Sequence, residues 1–241
     1  MEQSLKVIPL GGLGEIGKNM MALECDEDII VIDAGVLFPE EDMLGVDLVI
    51  PDITYLKENR KKVRAILITH GHEDHTGALP YVLRDLNVPV YAPRLAAGLI
   101  EVKLKENRAA RGARLETIEP GEQVQLGKFS VEWFRVCHSI PDAMGLAIKT
   151  PLGLVVHTGD FKVDHTPVSG MATDLGYLAT LTADGVLLLC SDSTYAEVPG
   201  YTASEMVVGE ALERAIAGAP GRVLVATFAS LISRIQQVVD A

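Results

Sequence analysis

Three of the chain's six histidines stand in the run Thr69-His70-Gly71-His72-Glu73-Asp74-His75-Thr76-Gly77. Imidazole nitrogens and carboxylate oxygens together are the donors that zinc and similar borderline cations take. His70 and His72 are two apart, so an extended backbone points both the same way. Asp74 and His75 fall at the turn that follows and can address a second point close by. Cations held there would acidify water and steady charge developing on a phosphoryl or acyl oxygen, which is hydrolytic chemistry. The bland alternative is a polar loop that merely happens to contain histidine, and four donor residues at such tight spacing argue against it.

The elements around this run would place it well. Ala65-Ile66-Leu67-Ile68 is wholly apolar and reads as a buried strand, and residues 78–86 have helical periodicity. The histidines therefore sit where a strand hands over to a helix, at the carboxyl end where α/β folds keep their chemistry. Other predicted strands end on candidate donors. Ile29-Ile30-Val31-Ile32 runs into Asp33, the strand from Phe129 to Val136 into Cys137-His138, and Leu154–His157 into Thr158-Gly159-Asp160. Taken singly, Asp33 reads as a turn former and His138 as a satisfied core histidine. Asp160, after glycine at a strand end, can bridge two cations with one oxygen each. His157 lies inside a strand and reads as structural, and His165 as exposed.

Residues 5–10 predict a first strand, followed by Gly11-Gly12-Leu13-Gly14-Glu15-Ile16-Gly17. Gly12, Gly14 and Gly17 match the G-x-G-x-x-G fingerprint of dinucleotide binding. Residues 18–24 do not read as a helix, however, so strand, glycine turn and strand make a hairpin instead. Residues 37–52 are an acidic, proline-punctuated loop, and Tyr55 to Lys62 a short helix. Leu95 to Lys105 predicts a helix with Leu95, Leu99, Val102 and Leu104 facing inward. Arg108, Arg111 and Arg114 form a basic cluster, read as a solvated face. Val186 to Cys190 is a strand delivering Asp192, residues 204–217 a capped helix, and Arg222 to Ala226 a further strand.

Composition sets bounds. The chain has 241 residues, 48% of them hydrophobic, enough for a sizeable core. A net charge of −12 argues against a broadly basic nucleic-acid surface, although cations or a local groove can supply positive field. The first residues lack a signal-peptide pattern, and no apolar run approaches the ~18 residues of a membrane span. Cys25, Cys137 and Cys190 stand at no ligand spacing and read as buried free thiols, in keeping with a cytoplasmic protein.

His-x-His-x-Asp-His after an apolar strand resembles the signature of the metallo-β-lactamase superfamily. The Gly-Gly-Leu-Gly-Glu-Ile-Gly-Lys-Asn run and His138-Ser139-Ile140-Pro141-Asp142 are similar to the ribonuclease J family in its β-CASP branch. The resemblance implies an α/β fold, the αββα sandwich, incomplete in this chain. Residues 1–200 would belong to the metallo-β-lactamase domain and 201–241 to the start of a β-CASP insertion. It implies that His70, His72 and His138 hold one metal, that Asp74 and His75 hold a second, and that Asp160 bridges them. Asp33 would orient the metal loop, Asp192 would support the centre by hydrogen bonding, and Ser230 would lie near the substrate. Tyr195 and Leu231 stand where the family favours asparagine, and the latter weakens the assignment of Ser230. Later histidines of the family lie beyond the residues present, so the second site is expected to be the weaker.

The metal implied is Zn2+, with Mn2+ or Mg2+ as further candidates. Three activities are then open: phosphodiester hydrolysis of RNA, endonucleolytic and 5′–3′ exonucleolytic; hydrolysis of a small ester, lactone or β-lactam; or metal binding without turnover. Half a layered fold would expose an apolar face, so a homo-oligomer is expected. No membrane association is.

Overall fold

The computed structural model describes residues 3–107, 112–168 and 171–241. The chain's first two residues, Arg108 and Arg111 of the basic cluster, and Gly170 lie outside the described residues. Arg114 does not; it pairs on the surface with Glu116 at 3.4 Å.

Two sheets form the centre. The first has six strands in chain order: β1 (Leu5–Gly11), β2 (Met20–Cys25), β3 (Asp28–Ile32), β4 (Val63–Leu67), β5 (Val90–Pro93) and β6 (Leu115–Ile118). Its first three strands are antiparallel hairpins, and from β3 onward the pairing is parallel. The glycine-rich run is the β1–β2 connection, with positive φ at Gly12, Gly14 and Gly17. A turn between antiparallel strands offers no helix amino terminus to a pyrophosphate, so the dinucleotide fingerprint is accidental. The second sheet comprises β7 (Gln123–Leu126), β8 (Phe129–Arg135), β9 (Met144–Thr150), β10 (Gly153–His157) and β11 (Leu188–Cys190), in the order β11-β10-β9-β8-β7.

Alternation in β3 fixes the layering. Ile30 and Ile32 face the second sheet and pack with Phe129, Val131, Trp133, Leu146 and Ile148. Ile29 and Val31 face the other way, toward α1 (Thr54–Glu58), α3 (Leu79–Asp85) and α4 (Arg94–Glu106), through Leu56, Leu79, Val82 and Ile100. A strand buried on both faces is a continuous apolar run, which is why β3 and β4 stand out in the sequence. Each fully buried side chain of this size stabilises the fold by roughly 1.5–3 kcal/mol. On the outer face of the second sheet, Phe134, Ala147 and Val156 pack against Tyr177, Leu178 and Leu181 of α5 (Leu175–Leu181). This is an αββα arrangement whose last layer is thin among the described residues: Leu187 and Leu189 at the β11 edge remain 52% and 60% exposed. Beyond it, α6 (Glu205–Ala217) and α7 (Ile232–Asp240) pack on each other.

Three expectations are corrected. The buried residues of α4 are Ala96, Ala97, Ile100 and Leu104, whereas Leu99 and Val102 are 41% and 56% exposed. Small alanines let the helix lie close to the sheet, and that register turns the bulkier Leu99 and Val102 outward. Arg222 to Ala226 forms no strand, and Leu224 is 89% exposed; a β-strand needs a ladder partner, and none is present among the described residues. Cys25 and Cys137 are buried free thiols, but Cys190, on the edge strand, is only half-buried.

Candidate metal centre

The functional side chains gather at one rim of the sandwich, at the carboxyl ends of β3, β4, β8, β10 and β11. Asp33 follows β3 and donates its backbone N–H to Leu67 of β4 at 2.9 Å. Thr69 and His70 follow β4. A short helix, α2 (Glu73–Thr76), then turns back and is stitched to β3: Ala34 N–H donates to the His75 carbonyl at 2.8 Å and Val36 N–H to that of Glu73 at 3.1 Å. Thr69 also joins the two sheets, because its carbonyl accepts from Met144 N–H of β9 at 2.9 Å. Gly159 presses on Thr69, whose Cβ lies 3.0 Å from where a side chain at 159 would begin, so β10 delivers Asp160 directly over the histidine loop.

Two groups of donors converge. His70, His72 and His138 have donor atoms within 4.8 Å of one another, and so do His70, His75 and Asp160. Within the first, His72 Nδ1 lies 3.0 Å from His70 Nε2 and 3.3 Å from His138 Nε2. Asp160 stands between the groups, with one oxygen 3.4 Å from His75 Nε2 and the other 3.7 Å from His138 Nε2. Asp74 reaches His75 Nε2 at 3.6 Å but belongs to neither group.

Burial pushes the imidazoles of His70 and His72 below their ordinary range and that of His138 down to about 4. These three are neutral near pH 7, so each ring can turn a lone pair toward the point where their nitrogens converge. Neutral imidazoles converging in this way are a donor set suited to a cation. Burial would lower His75 too, but Asp33 and Asp160 outweigh it and the net shift is upward. For Asp160 burial works upward and is overcome by His75, His138 and His72, so it stays ionised. These residues fit a pair of borderline divalent cations, with His70 belonging to both donor groups and Asp160 standing between them.

Around the donors, Asp33 is 2% exposed. It accepts from Thr69 N–H at 2.8 Å and from Thr69 Oγ1 at 2.9 Å, and meets His75 Nδ1 at 2.8 Å. That contact fixes the ring with Nε2 toward Asp160, which is how an outer partner orients a ligand. Thr69 Oγ1 also lies 3.1 Å from His70 Nδ1. The sequence pattern passes over Thr69 and Asn19, although both stand inside the runs quoted above; only packing reveals which neighbours of a ligand touch it. His157 stays apart from both donor groups and accepts at Nδ1 from Gly159 N–H at 3.1 Å. His165 is exposed.

Two residues depart from expectation. The Asp192 carboxylate accepts from Thr194 N–H at 2.9 Å and Thr194 Oγ1 at 2.7 Å, closing a turn on itself rather than bonding a donor of the centre. Its charge works upward on His138, as the last of the causes acting there. Ser230 is exposed, just before α7, and lines neither cavity beside the centre; Ser233 lines one of them.

Those cavities flank Asp160. One, of about 800 Å3, runs from His138 past Lys162 to Tyr195, Tyr201 and Thr202. The other, of about 740 Å3, lies between the glycine turn and residues 188–194 and reaches Asp74 and His75. Lys162 is held by Glu205 at 3.1 Å, and Glu205 also pairs with Arg234, so α6 and α7 are tied to the first cavity.

Comparisons with known proteins bear on the family and the fold. A family profile described as the metallo-beta-lactamase superfamily matches residues 13–172. The chain is 49% identical over 247 residues to ribonuclease J of Thermus thermophilus, covering 100% of this chain and 43% of that protein. It is 50% identical over 240 residues to ribonuclease J of a Synechocystis species, covering 99% of this chain and 38% of that one. The chain thus spans about two fifths of the length of these curated relatives. Among solved structures, an Enterococcus faecalis protein of unknown function superposes with a TM-score of 0.74 at 18% identity, covering 100% of this chain and 64% of that one. Unliganded yeast PDE1 superposes at 0.56 and 12% identity, covering 99% and 94%. At these identities the structural matches speak to fold alone.

Proposed function

Because the chain belongs to the metallo-β-lactamase superfamily, we propose that it is a metal-dependent hydrolase of RNA phosphodiester bonds, of the ribonuclease J kind, with both endonucleolytic and 5′–3′ exonucleolytic action. The observation that carries this reading is Asp160 standing between the two donor groups, one oxygen toward His75 and the other toward His138. Two divalent cations, Zn2+ before Mn2+ or Mg2+, would supply Lewis acidity toward a phosphoryl oxygen and lower the pKa of water at the site.

The chain's own residues do the rest. His70, His72 and His138 hold the first position, and His75, Asp74 and Asp160 the second. Burial keeps the three imidazoles of the first position neutral, so donors rather than protons face the pocket. Asp33 holds the ring of His75 by Nδ1. The cavity leading from His138 past Lys162 is lined by the exposed Tyr195 and Tyr201, aromatic rings of the kind on which bases stack. Residues 1–200 form the metal-binding domain in this reading, and 201–241 begin a second one. The cytoplasm is the proposed location. Association between copies, as a homo-oligomer, would cover the apolar edge at Leu187 and Leu189.

The test is metal analysis of the purified chain beside turnover of a 5′-monophosphorylated RNA, an activated ester and a β-lactam, each with and without chelator. RNA cleavage abolished by chelator and by His72→Ala is expected. Ester or lactam turnover without RNA cleavage would point to a small-molecule hydrolase. Bound metal with no turnover of any kind would leave a metal-binding unit that needs more than these residues for activity.

A further inference from the structure

The glycine turn between β1 and β2 has no part in the function just proposed, yet its last residues lie against the metal loop. Asn19 donates its backbone N–H to the Asp74 carbonyl at 3.0 Å, and its own carbonyl accepts from Gly35 N–H at 2.9 Å. Its side chain goes further. Nδ2 donates to the Asp74 carbonyl at 3.1 Å and to the carboxylate Oδ2 at 3.3 Å, and stands 3.1 Å from His75 Nε2. At the opposite end of the same amide, Oδ1 fills the space beside Gly12, only 2.5 Å from where a Cβ would begin. Gly12 also has φ of 82°, a conformation glycine adopts without strain.

We propose that Asn19 is a positioning residue for the second cation. Its amide fixes the Asp74 carboxylate beside His75 Nε2, where Asp160 also arrives, and Gly12 is glycine because that amide needs the room. The Asp74 side chain is 34% exposed, so packing alone does not choose its rotamer. A bond from a residue itself anchored on both backbone groups removes that freedom before an ion arrives. The turn that imitates a dinucleotide fingerprint is thereby part of the metal centre. The inference rests on the two-cation reading above.

The experiment is Zn2+ competition against a chromophoric chelator, with Co2+ absorption as a second readout. It compares the wild-type chain with Asn19→Ala, Gly12→Ala and Asp74→Ala. Wild type is expected to take up two ions. Asn19→Ala should reproduce the Asp74→Ala loss of the second ion, roughly 10–100-fold in affinity, the usual cost of losing an outer partner. The first ion should change less than about threefold, and Gly12→Ala should weaken the second ion in the same sense. Should Asp74→Ala lose the second ion while Asn19→Ala keeps it, the role given to Asn19 is wrong and the two-cation reading stands. A wild type holding one ion, or an Asp74→Ala chain that still holds two, overturns that reading and this inference together. A lowered melting temperature of metal-free Asn19→Ala with unchanged second-ion affinity marks a purely structural asparagine and also overturns the proposal. If Asn19→Ala does not fold, Asn19→Ser, which keeps a polar side chain too short to reach Asp74, takes its place with the same expected loss.

Discussion

Asp33 Oδ2 meets His75 Nδ1 at 2.8 Å from a backbone in the left-handed region, φ 60°. Aspartate and asparagine tolerate that conformation better than other side-chain-bearing residues. From there the carboxylate caps the loop after β4, taking Thr69 N–H with one oxygen and His75 with the other. Asp33→Asn should therefore fold, yet present an NH2 where one acceptor is needed. Second-ion affinity is expected to fall ~10–100-fold by chelator competition. Asp33→Ala should in addition lose ~1–3 kcal/mol in urea unfolding, since alanine must hold the strained backbone. Equal stability of the two variants would sink the backbone half of this argument.

The chain's one tryptophan, Trp133, is fully buried between the sheets, and its Nε1 has no hydrogen-bond partner among the described residues. Trp133→Ala is expected to cost ~3–5 kcal/mol in chemical denaturation followed by circular dichroism. Trp133→Phe should cost well under half of that, because it keeps a ring and removes an unsatisfied donor. A phenylalanine as damaging as alanine would mean the indole N–H is satisfied in solution.

Why some of the fold and site is legible in sequence and some is not follows from range. The histidine loop shows because its donors are close in sequence and follow a strand buried on both faces, so Ala65-Ile66-Leu67-Ile68 carries no polar interruption. Position on α4 is not legible. Leu99 and Val102 are larger than Ala96 and Ala97, and periodicity favours the larger residues, but close approach to the sheet selects the smaller ones. Val223 and Val225 have strand character, and no neighbouring strand among the described residues accepts them. Asn19 and Asp74 meet only after β1, β2 and β3 have folded over α2, so no local pattern announces them. Each failure concerns a contact between distant segments.

Acid stability should respond to Glu24. This carboxylate is 4% exposed and takes the Tyr55 hydroxyl, Lys6 at 3.3 Å and Lys62 at 3.4 Å. Burial alone would raise its pKa; the bonds from Tyr55, Lys6 and Lys62 outweigh that, and the net shift is below 4.5. A carboxylate depressed in the folded state contributes stability that is fully present above its unfolded value and is lost as pH falls through its folded one. The melting temperature of wild type should hold from pH 7 to about 5 and drop below it. Glu24→Gln should start lower and show a shallower drop over the same interval. Parallel curves for the two proteins would exclude Glu24 as a source of the acid sensitivity.

Gly35 and Gly14 separate room from strain. Gly14 has φ of 73° and nothing within 4 Å of where a Cβ would begin, so Gly14→Ala meets backbone strain alone. Gly35 has no positive φ, but a Cβ there would lie 1.5 Å from the carbonyl oxygen of Asp74 and 2.1 Å from its carbonyl carbon. Those are backbone atoms of α2, and they cannot yield without moving Asp74 and His75 together. Gly14→Ala is expected to cost about 1–2 kcal/mol and leave metal uptake intact. Gly35→Ala should lose the second ion entirely at concentrations that saturate wild type, read by metal analysis after gel filtration. An alanine at 14 that empties the second site as fully as one at 35 would mean that turn strain, rather than the close fit of β3 against α2, governs the loop.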